Sequence, residues 1–345
     1  MTKFLFVIFF FNLLLGYVNL IEIPNSNKKN LIIAAISNYD WAKMAILFES
    51  YVKAGFENTD FVAFVTNMTQ ATIDKIKSCG VIINDFPEEL RKVSIINSRW
   101  KIYEDFLNNN PNKYRLVLTV DIRDLFFQND LFKYYKNITK SFLGIAIEDG
   151  YLHEPINTGW FIKAYGEEKH KLLQNERIIC VGTVWGTVDK FTEFSKVMWE
   201  KLSSEWSISR RVVEQTVGNY LIYNDKLWND CLIKSENRDG PVMTIGLVRR
   251  YFINLDSNNN VLNRMGEIAS IVHQYDRHPD IIQLAINKFA PELNVEMNNN
   301  NNNKYIFIII IFLIVVIFIL GILYFKKKKK NEMIMLDDKD KEEGK

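Results

Sequence analysis

Residues Tyr114–Asp124 read YRLVLTVDIRD, a run of strand-forming residues that ends in the quartet Asp121-Ile122-Arg123-Asp124. Apolar residues follow one another here instead of alternating with polar ones, which is typical of a strand buried on both faces of a parallel sheet. Ligands of open parallel sheets bind beyond the carboxyl ends of the strands, where this acidic quartet stands. Carboxylates at such a position can hold a hard divalent cation, which in turn binds a diphosphate. The segment therefore predicts a parallel sheet and a candidate site at its edge.

The segments on either side continue the same alternation of strands and helices. Strand-like runs occupy residues 30–37, 61–66, 81–86 and 142–147, and helical spacing of apolar residues occupies 41–53, 69–78 and 94–107. Strands separated by helices of this length indicate βαβ units. Beyond residue 150 the pattern is looser, with helices predicted at 188–202 and 212–223 and short strands at 242–245 and 268–272. We predict a doubly wound, mostly parallel α/β domain over residues 28–290, with a mixed second half.

Two apolar segments near the ends of the chain predict how it meets a membrane. Residues 1–18 place a basic residue before a short apolar run, which favours a cleaved signal peptide, with an uncleaved anchor as the alternative. Residues 305–325 carry no charge and would span roughly 30 Å as a helix, the thickness of a bilayer core. Five lysines follow, so 326–345 is predicted to be a cytosolic tail, and the Asn-rich segment 291–304 a linker. We therefore expect a single-pass type I membrane protein whose domain is lumenal or extracellular.

The net charge argues against a nucleic-acid-binding protein, and the cysteines and sequons suggest modifications that are expected of a secreted domain. The whole chain carries a net charge of +2, and its last twenty residues, with eight Lys against six acids, account for all of it. A neutral domain gives no electrostatic basis for binding nucleic acid. In an oxidising compartment Cys79, Cys180 and Cys231 could form one disulfide, and the sequence does not choose the pair. Asn67 and Asn137 each begin an Asn-x-Thr sequon for N-glycosylation.

From the acidic quartet outward, the chain resembles the GT-A-type nucleotide-sugar glycosyltransferases. The likeness covers about residues 30–280 and lies in five ordered segments, 30–41 (NLIIAAISNYDW), 94–128 (SIINSRWKIYEDFLNNNPNKYRLVLTVDIRDLFFQ), 178–187 (IICVGTVWGT), 213–219 (VEQTVGN) and 271–279 (IVHQYDRHP). It implies a GT-A-like fold that transfers a sugar from a nucleotide-sugar donor to a glycan, glycoprotein or glycolipid acceptor in the secretory pathway. We expect the Golgi or another endomembrane compartment rather than the plasma membrane.

The resemblance also assigns roles to individual residues. Asp121, Asp124 and His273 would hold Mn or Mg against the diphosphate. Glu214, together with Asp121, is implied to be catalytic, because a carboxylate near the acceptor hydroxyl can act as a general base. The residues implied to bind the nucleotide sugar are Ser37, Asn38, Tyr39, Arg99, Arg123, Gly182, Gly186 and Gln215. The common motif is Asp-x-Asp, whereas Arg123 occupies its third position in this chain. Arg123 could therefore pair with an acid or contact phosphate, and a metal-independent site stays open.

Ordinary structural roles and two other functions compete with these assignments. Arg99 could form a helix-surface ion pair, Glu214 could be an exposed helix start favoured by the helix dipole, and His273 could be a core histidine. Trp160 and Trp185 could stack on a sugar or simply fill the core. A phosphate-handling hydrolase could use Asp121 as its nucleophile, although three βα units precede that residue. A non-catalytic receptor or lectin could use the same scaffold, which the rearranged quartet favours.

Overall fold

The computed structural model describes residues 28–203 and 214–294. The predicted signal peptide (1–18), most of the linker (291–304), the span (305–325) and the tail (326–345) lie outside the described residues and stay predictions. Among the residues that the structure describes, none of the helices combines the length and hydrophobicity needed to cross a bilayer. Contacts divide the chain after Ala290, and the central sheet with its covering helices belongs to the unit that ends there.

Strands and helices alternate along most of the described residues. The strands are β1 (Lys29–Ser37), β2 (Thr59–Thr66), β3 (Ile82–Asp85), β4 (Tyr114–Val120), β5 (Leu125–Phe127), β6 (Leu143–Tyr151), β7 (Arg177–Thr187), β8 (Leu232–Glu236), β9 (Val242–Thr244), β10 (Asn254–Leu255), β11 (Val261–Leu262) and β12 (Ile271–His273). The α-helices are α1 (Ala45–Ala54), α2 (Gln70–Ser78), α3 (Ile95–Asn108), α4 (Leu131–Tyr134), α5 (Pro155–Tyr165), α6 (Glu167–Leu173), α7 (Val188–Leu202), α8 (Glu214–Tyr223) and α9 (Pro279–Phe289). Short 3-10 turns lie at Trp41–Lys43, Glu88–Leu90, Arg250–Phe252 and Tyr275–Arg277.

The central sheet has the strand order β3-β2-β1-β4-β7-β6-β8. Its strands run parallel except β7, which is antiparallel to both of its neighbours, β4 and β6. The prediction of an α/β fold with a mostly parallel sheet and a mixed second half is confirmed. The chain moves outward from β1 to β3 and then returns to β4 on the other side of β1. The crevice between the carboxyl ends of β1 and β4 is therefore the point where an open α/β sheet binds ligands.

Alternate residues of β1 enter the two cores that cover the faces of this sheet. Leu31 and Ile33 pack in the core that contains Trp100 of α3, whereas Ile32 and Ala34 pack in the opposite core with residues of α1. Because both faces are covered, a strand in this position needs apolar residues at every position. This double burial explains the uninterrupted apolar runs from which β1 and β4 were predicted.

Several elements differ from the prediction. The helix expected at 41–53 is divided into a 3-10 turn capped by Asp40 and the helix α1, which ends at Gly55 in a left-handed conformation (φ 63°). The central strand β7 was missed, because small residues such as Gly182 and Thr183 break its apolar run. Helix α5 was missed because its apolar residues do not form one stripe. The three cysteines are free, so the possible disulfide does not form.

Candidate active site

A cavity of about 730 Å³ opens at the carboxyl ends of β1 and β4. Small-molecule sites usually measure roughly 300–1,000 Å³. Among the residues implicated from the sequence, those that line the cavity are Ser37, Tyr39, Arg99, Asp121, Arg123, Asp124, Gly182, Glu214 and Gln215. The fold therefore gathers most of the predicted site residues around a single opening at the sheet's switch point.

Asp121 and Asp124 line this cavity, and the buried side chain of His273, which is not among the lining residues, lies against both. The Nε2 atom of His273 lies 3.5 Å from Oδ2 of Asp121 and 3.5 Å from Oδ1 of Asp124. A separate three-stranded sheet, β5-β12-β9, produces this meeting. In it His273 pairs with Leu125, the residue after Asp124, and the backbone N–H of Gln274 donates to the carbonyl of Asp124 at 2.7 Å. Residues about 150 positions apart are thus joined by backbone pairing.

The chemistry of this cluster fits a divalent metal ion. Its three potential ligand atoms all lie within 4.8 Å of one another. His273 is only 1% exposed, and its Nε2 has no hydrogen-bond partner, although buried polar atoms are nearly always paired. Its other ring nitrogen, Nδ1, lies 3.4 Å from Thr183 Oγ1 and 3.5 Å from Cys180 Sγ. Two carboxylate oxygens and an imidazole nitrogen are compatible with the binding of a divalent metal ion.

Neighbouring charges keep both aspartates ionised. Burial alone would raise the pKa of Asp121, but the guanidinium of Arg99, 2.8 Å from its Oδ1, and His273 hold that pKa well below its ordinary value. Burial is likewise overcome at Asp124, whose pKa is lowered by His273 and by Arg277 at 2.7 Å. Burial also opposes the charged form of His273, yet Cys180 and the two carboxylates raise the pKa of His273 well above its ordinary value. The aspartates are therefore available as anionic ligands at neutral pH.

Arg99 is buried and holds two acidic groups. Its Nε and Nη2 donate to Glu214 at 3.0 and 2.9 Å, its Nη1 donates to Asp121 at 2.8 Å, and Nη2 also donates to the carbonyl of Val181 at 3.2 Å. The indole N–H of Trp100 adds a further hydrogen bond to Glu214, at 2.9 Å. The surface ion pair considered for Arg99 and the exposed helix start considered for Glu214 are both wrong, because these side chains are 5% and 7% exposed.

The catalytic role predicted for Glu214 stays a prediction. Both of its carboxylate oxygens accept hydrogen bonds from Arg99 or Trp100, which fix the orientation of the carboxylate. Burial, reinforced by the charge of Asp121 and opposed by Arg99, raises the pKa of Glu214 to about 8. The geometry gives Glu214 the role of positioning Arg99, which in turn fixes Asp121.

The two glycines predicted to approach the sugar lie in different places. A Cβ on Gly182 would stand 2.4 Å from Asp121 Oδ2 and 2.6 Å from His273 Cε1, so any side chain there would fill the cluster. Gly186 is not brought to the site: it lies four residues further along β7, where it pairs with Val117 of β4. A Cβ on Gly186 would meet the carbonyl of Phe142 at 2.5 Å, so this glycine serves strand packing.

Three other predicted contacts also need revision. Asn38 is exposed, has a left-handed backbone (φ 58°) and donates to Ser37 Oγ at 2.7 Å, and it is not among the residues that line the cavity. Trp185 is 2% exposed and fills the core beside Gly144, whereas Trp160 lines the cavity. Arg123 takes the ion-pair alternative, with Nη2 3.0 Å from Asp276, although it still lines the cavity.

Among the cavity residues missed from the sequence are two charged side chains for which signals were present. Glu148, near the end of β6, is 4% exposed and accepts a hydrogen bond from Gln274 at 3.3 Å, and burial raises its pKa. The strand-end rule that selected Asp121 would also have selected Glu148. Arg277 lies four residues after His273 and donates to Asp124. The remaining predicted site residue, Gln215, donates to Asn157 at 3.2 Å.

Both predicted sequons lie on the surface of the described domain. Asn67 and Asn137 are exposed, and Asn67 occupies a left-handed bend after β2 (φ 52°). Their glycosylation stays a prediction.

Comparisons with known proteins found similar chains only among solved structures. The sequence matches no protein-family model and no curated protein. The galactosyltransferase LgtC in complex with donor and acceptor sugar analogues is 14% identical, with 70% of this chain and 86% of that chain covered and a TM-score of 0.43. An active-site mutant of LgtC is 15% identical, with 70% of this chain and 86% of that chain covered and a TM-score of 0.42. The apo structure of the bifunctional glycosyltransferase WbbM is 14% identical, with 72% of this chain and 46% of that chain covered and a TM-score of 0.46. At such identities and TM-scores, these likenesses do not establish what this chain binds or catalyses.

Proposed function

We propose that the protein is a nucleotide-sugar glycosyltransferase that holds Mn or Mg with Asp121, Asp124 and His273. The observation that carries the proposal is the buried Nε2 of His273, 3.5 Å from one carboxylate oxygen of each of the two aspartates that line the cavity at the switch point of a mostly parallel sheet. The resemblance of the five sequence segments to GT-A-type enzymes points to the same chemistry. A bound divalent ion would supply positive charge against the diphosphate of the donor.

The protein's own residues have separable tasks in this scheme. Arg99 holds Asp121 by its Oδ1 and leaves Oδ2 facing the cluster. Gly182 keeps the space beside the cluster open. Arg123 and Arg277 line the cavity with side chains 51% and 43% exposed, and a guanidinium can bind phosphate oxygens through two N–H groups. The sugar hydroxyls would meet amide groups such as that of Gln215.

The two competing functions fit the geometry less well. A hydrolase that used Asp121 as its nucleophile would need a free carboxylate oxygen, but Oδ1 accepts from Arg99 and Oδ2 faces His273. The receptor or lectin was favoured by the rearranged quartet. Asp124 nevertheless lies at the same 3.5 Å from His273 as Asp121 does, so the rearrangement does not disrupt the cluster.

The decisive experiment measures nucleoside diphosphate released from a panel of sugar nucleotides, in Mn, in Mg and in chelator. We expect turnover with at least one donor, lost in chelator and reduced by at least about a hundredfold in Asp121→Asn and Asp124→Asn. Asp74→Asn, which changes an exposed carboxylate on α2, is the matched control and should behave as the wild type. The absence of turnover with every donor and metal would contradict the proposal, as would full activity of both site variants.

We further propose, from the sequence alone, that this domain is lumenal and that residues 305–325 anchor it as a type I membrane protein. In that arrangement an N-glycosidase should shift the mobility of the protein made in a eukaryotic cell. Asn67→Gln and Asn137→Gln should each remove part of the shift. An unmodified wild-type chain would speak against lumenal placement.

A further inference from the structure

Two large apolar side chains stand exposed at the opening of the cavity. Ile156, in the first turn of α5, is 65% exposed, and Leu247, in the loop after β9, is 46% exposed. They are the two exposed large apolar side chains of the described residues that line the cavity. Single exposed apolar residues are common on protein surfaces, but a pair at the mouth of a site indicates an apolar part of a ligand.

The two side chains line the same cavity, and the segments that carry them approach each other. A Cβ on Gly150 would lie 2.4 Å from Leu247 Cδ1 and 3.3 Å from Glu154 Cγ, so the side chains of Leu247 and Glu154 converge over the glycine. Glu154 is the residue that precedes α5, and Ile156 follows it by two positions. We call Ile156 and Leu247 together the apolar lip.

Between the lip and the cluster of Asp121, Asp124 and His273 lie residues suited to binding a sugar. Trp160 lies one helical turn after Ile156 on the same face of α5 and lines the cavity, where its ring can stack on a pyranose. Asn157 accepts a hydrogen bond from Gln215, which follows the Glu214 that holds Arg99. Apolar, aromatic and amide groups thus lead from the rim towards the acidic cluster.

Resting on the proposed glycosyltransferase function, we propose that the apolar lip binds an alkyl or lipid aglycone, so that the acceptor is of the glycolipid class. A donor made of a sugar, a diphosphate and a nucleoside has no long apolar chain for such a lip to cover. In the transfer, the acceptor oxygen bonds to the anomeric carbon while the bond from that carbon to the diphosphate breaks. The hydroxyl proton leaves with the diphosphate.

The test compares methyl and octyl glycosides of glucose, galactose and mannose, the octyl compounds below their critical micelle concentrations. Binding is measured by calorimetry on the full chain without donor, and the acceptor KM is measured in turnover with whichever donor is active. For at least one sugar we expect the octyl glycoside to bind about tenfold more tightly than the methyl glycoside, because each buried methylene favours binding.

Substitutions then test whether the preference for octyl over methyl glycosides depends on the two residues of the lip. Ile156→Ser and Leu247→Ser should each reduce the octyl preference by about threefold. The matched control, Leu172→Ser, removes a 77% exposed leucine of α6 that does not line the cavity, and should leave the preference intact. Circular dichroism confirms folding, which these exposed positions should tolerate.

The outcomes separate this inference from the proposed function. Equal binding of octyl and methyl glycosides by the wild type would overturn the inference, and so would equal behaviour of Leu247→Ser and Leu172→Ser. Donor turnover without an octyl preference would leave the transferase standing and point to a glycan or polypeptide acceptor instead. An octyl preference without turnover of any sugar nucleotide would support the lip and contradict the proposed function.

Discussion

Replacing Arg99 by methionine tests how the site is held together. Methionine keeps much of the length of the side chain but removes a buried charge that is bonded to both Glu214 and Asp121. Breaking a buried ion pair from one side typically costs about 3–5 kcal/mol. At a pKa of about 8 Glu214 already holds a proton in most wild-type molecules at pH 7, so Asp121 is the partner that loses its counter-charge.

The same reasoning predicts a pH dependence. Burial already raises the pKa of Glu214, and Arg99 is the main group that lowers it, so the variant's pKa should be higher still. Up to about pH 8 the native wild type and the native variant both hold a proton that the unfolded state releases above about 4.3, so their stabilities fall in parallel. Above about pH 8 the wild type releases that proton and the variant keeps it, so the stability of the variant relative to the wild type should fall, by up to about 1.4 kcal/mol per pH unit.

Equilibrium urea unfolding of the full chain, followed by tryptophan fluorescence from pH 6 to pH 10, measures both effects. At pH 7 a loss of about 3–5 kcal/mol would lower the midpoint by about 1.5–2.5 M for a slope near 2 kcal/mol/M. The double variant Arg99→Met/Glu214→Gln removes both charges of the pair and keeps an oxygen for Trp100. It should regain about 1–3 kcal/mol and lose most of the pH dependence. A deficit that is equal at pH 7 and pH 10, or a double variant no more stable than the single one, would refute the reasoning.

Two further perturbations have clear expected outcomes. Gly182→Ala should weaken Mn²⁺ binding by at least about tenfold, because its Cβ would press on Asp121 Oδ2. Calorimetry measures the binding. The control Gly159→Ala, with nothing within 4 Å of the new Cβ, should bind Mn²⁺ as the wild type does. Asp60 is buried, but Lys29 at 2.7 Å and other donors lower its pKa, so it stabilises the fold above its unfolded-state pKa of about 3.9. The stability advantage of the wild type over Asp60→Asn should therefore begin to shrink as pH falls below about 4 in acid unfolding, and it should be lost as pH falls through the lowered native pKa. A difference that stays constant from pH 7 down to the acid-unfolding limit would contradict this.

Elements with strong local patterns were predicted from the sequence with almost correct bounds. The strand predicted at 114–120 is Tyr114–Val120, and the helix predicted at 188–202 is Val188–Leu202. Each of these elements shows its burial in its own residues. The strand Arg177–Thr187 does not, because its glycines and threonines suit close packing against other groups rather than a continuous apolar face. Such a strand is recognised only when its neighbours are known.

The candidate site was predictable where it follows from strand order and unpredictable where it depends on long-range contacts. Asp121 was found because it ends a buried strand. Glu214 and Arg99 were found from a family resemblance, but their burial was not, since charged residues on helices are usually exposed. Their ion pair joins positions 115 residues apart, and no local pattern encodes it. Gly182 and Gly186 look alike in sequence, and only the register of β7 against β4 separates them.

The strand that the sequence concealed is also the strand that builds the site. Because β7 runs antiparallel to β4, its pairing with Val120 at Thr183 leaves its earlier residues to continue past the end of β4. There the carbonyl of Gly182 accepts from the backbone N–H of Asp121 at 2.8 Å, and the carbonyl of Val181 accepts from Arg99 at 3.2 Å. The small residues that obscured β7 in the sequence are thus what allow it to pass beneath the acidic cluster and fix Asp121 in place.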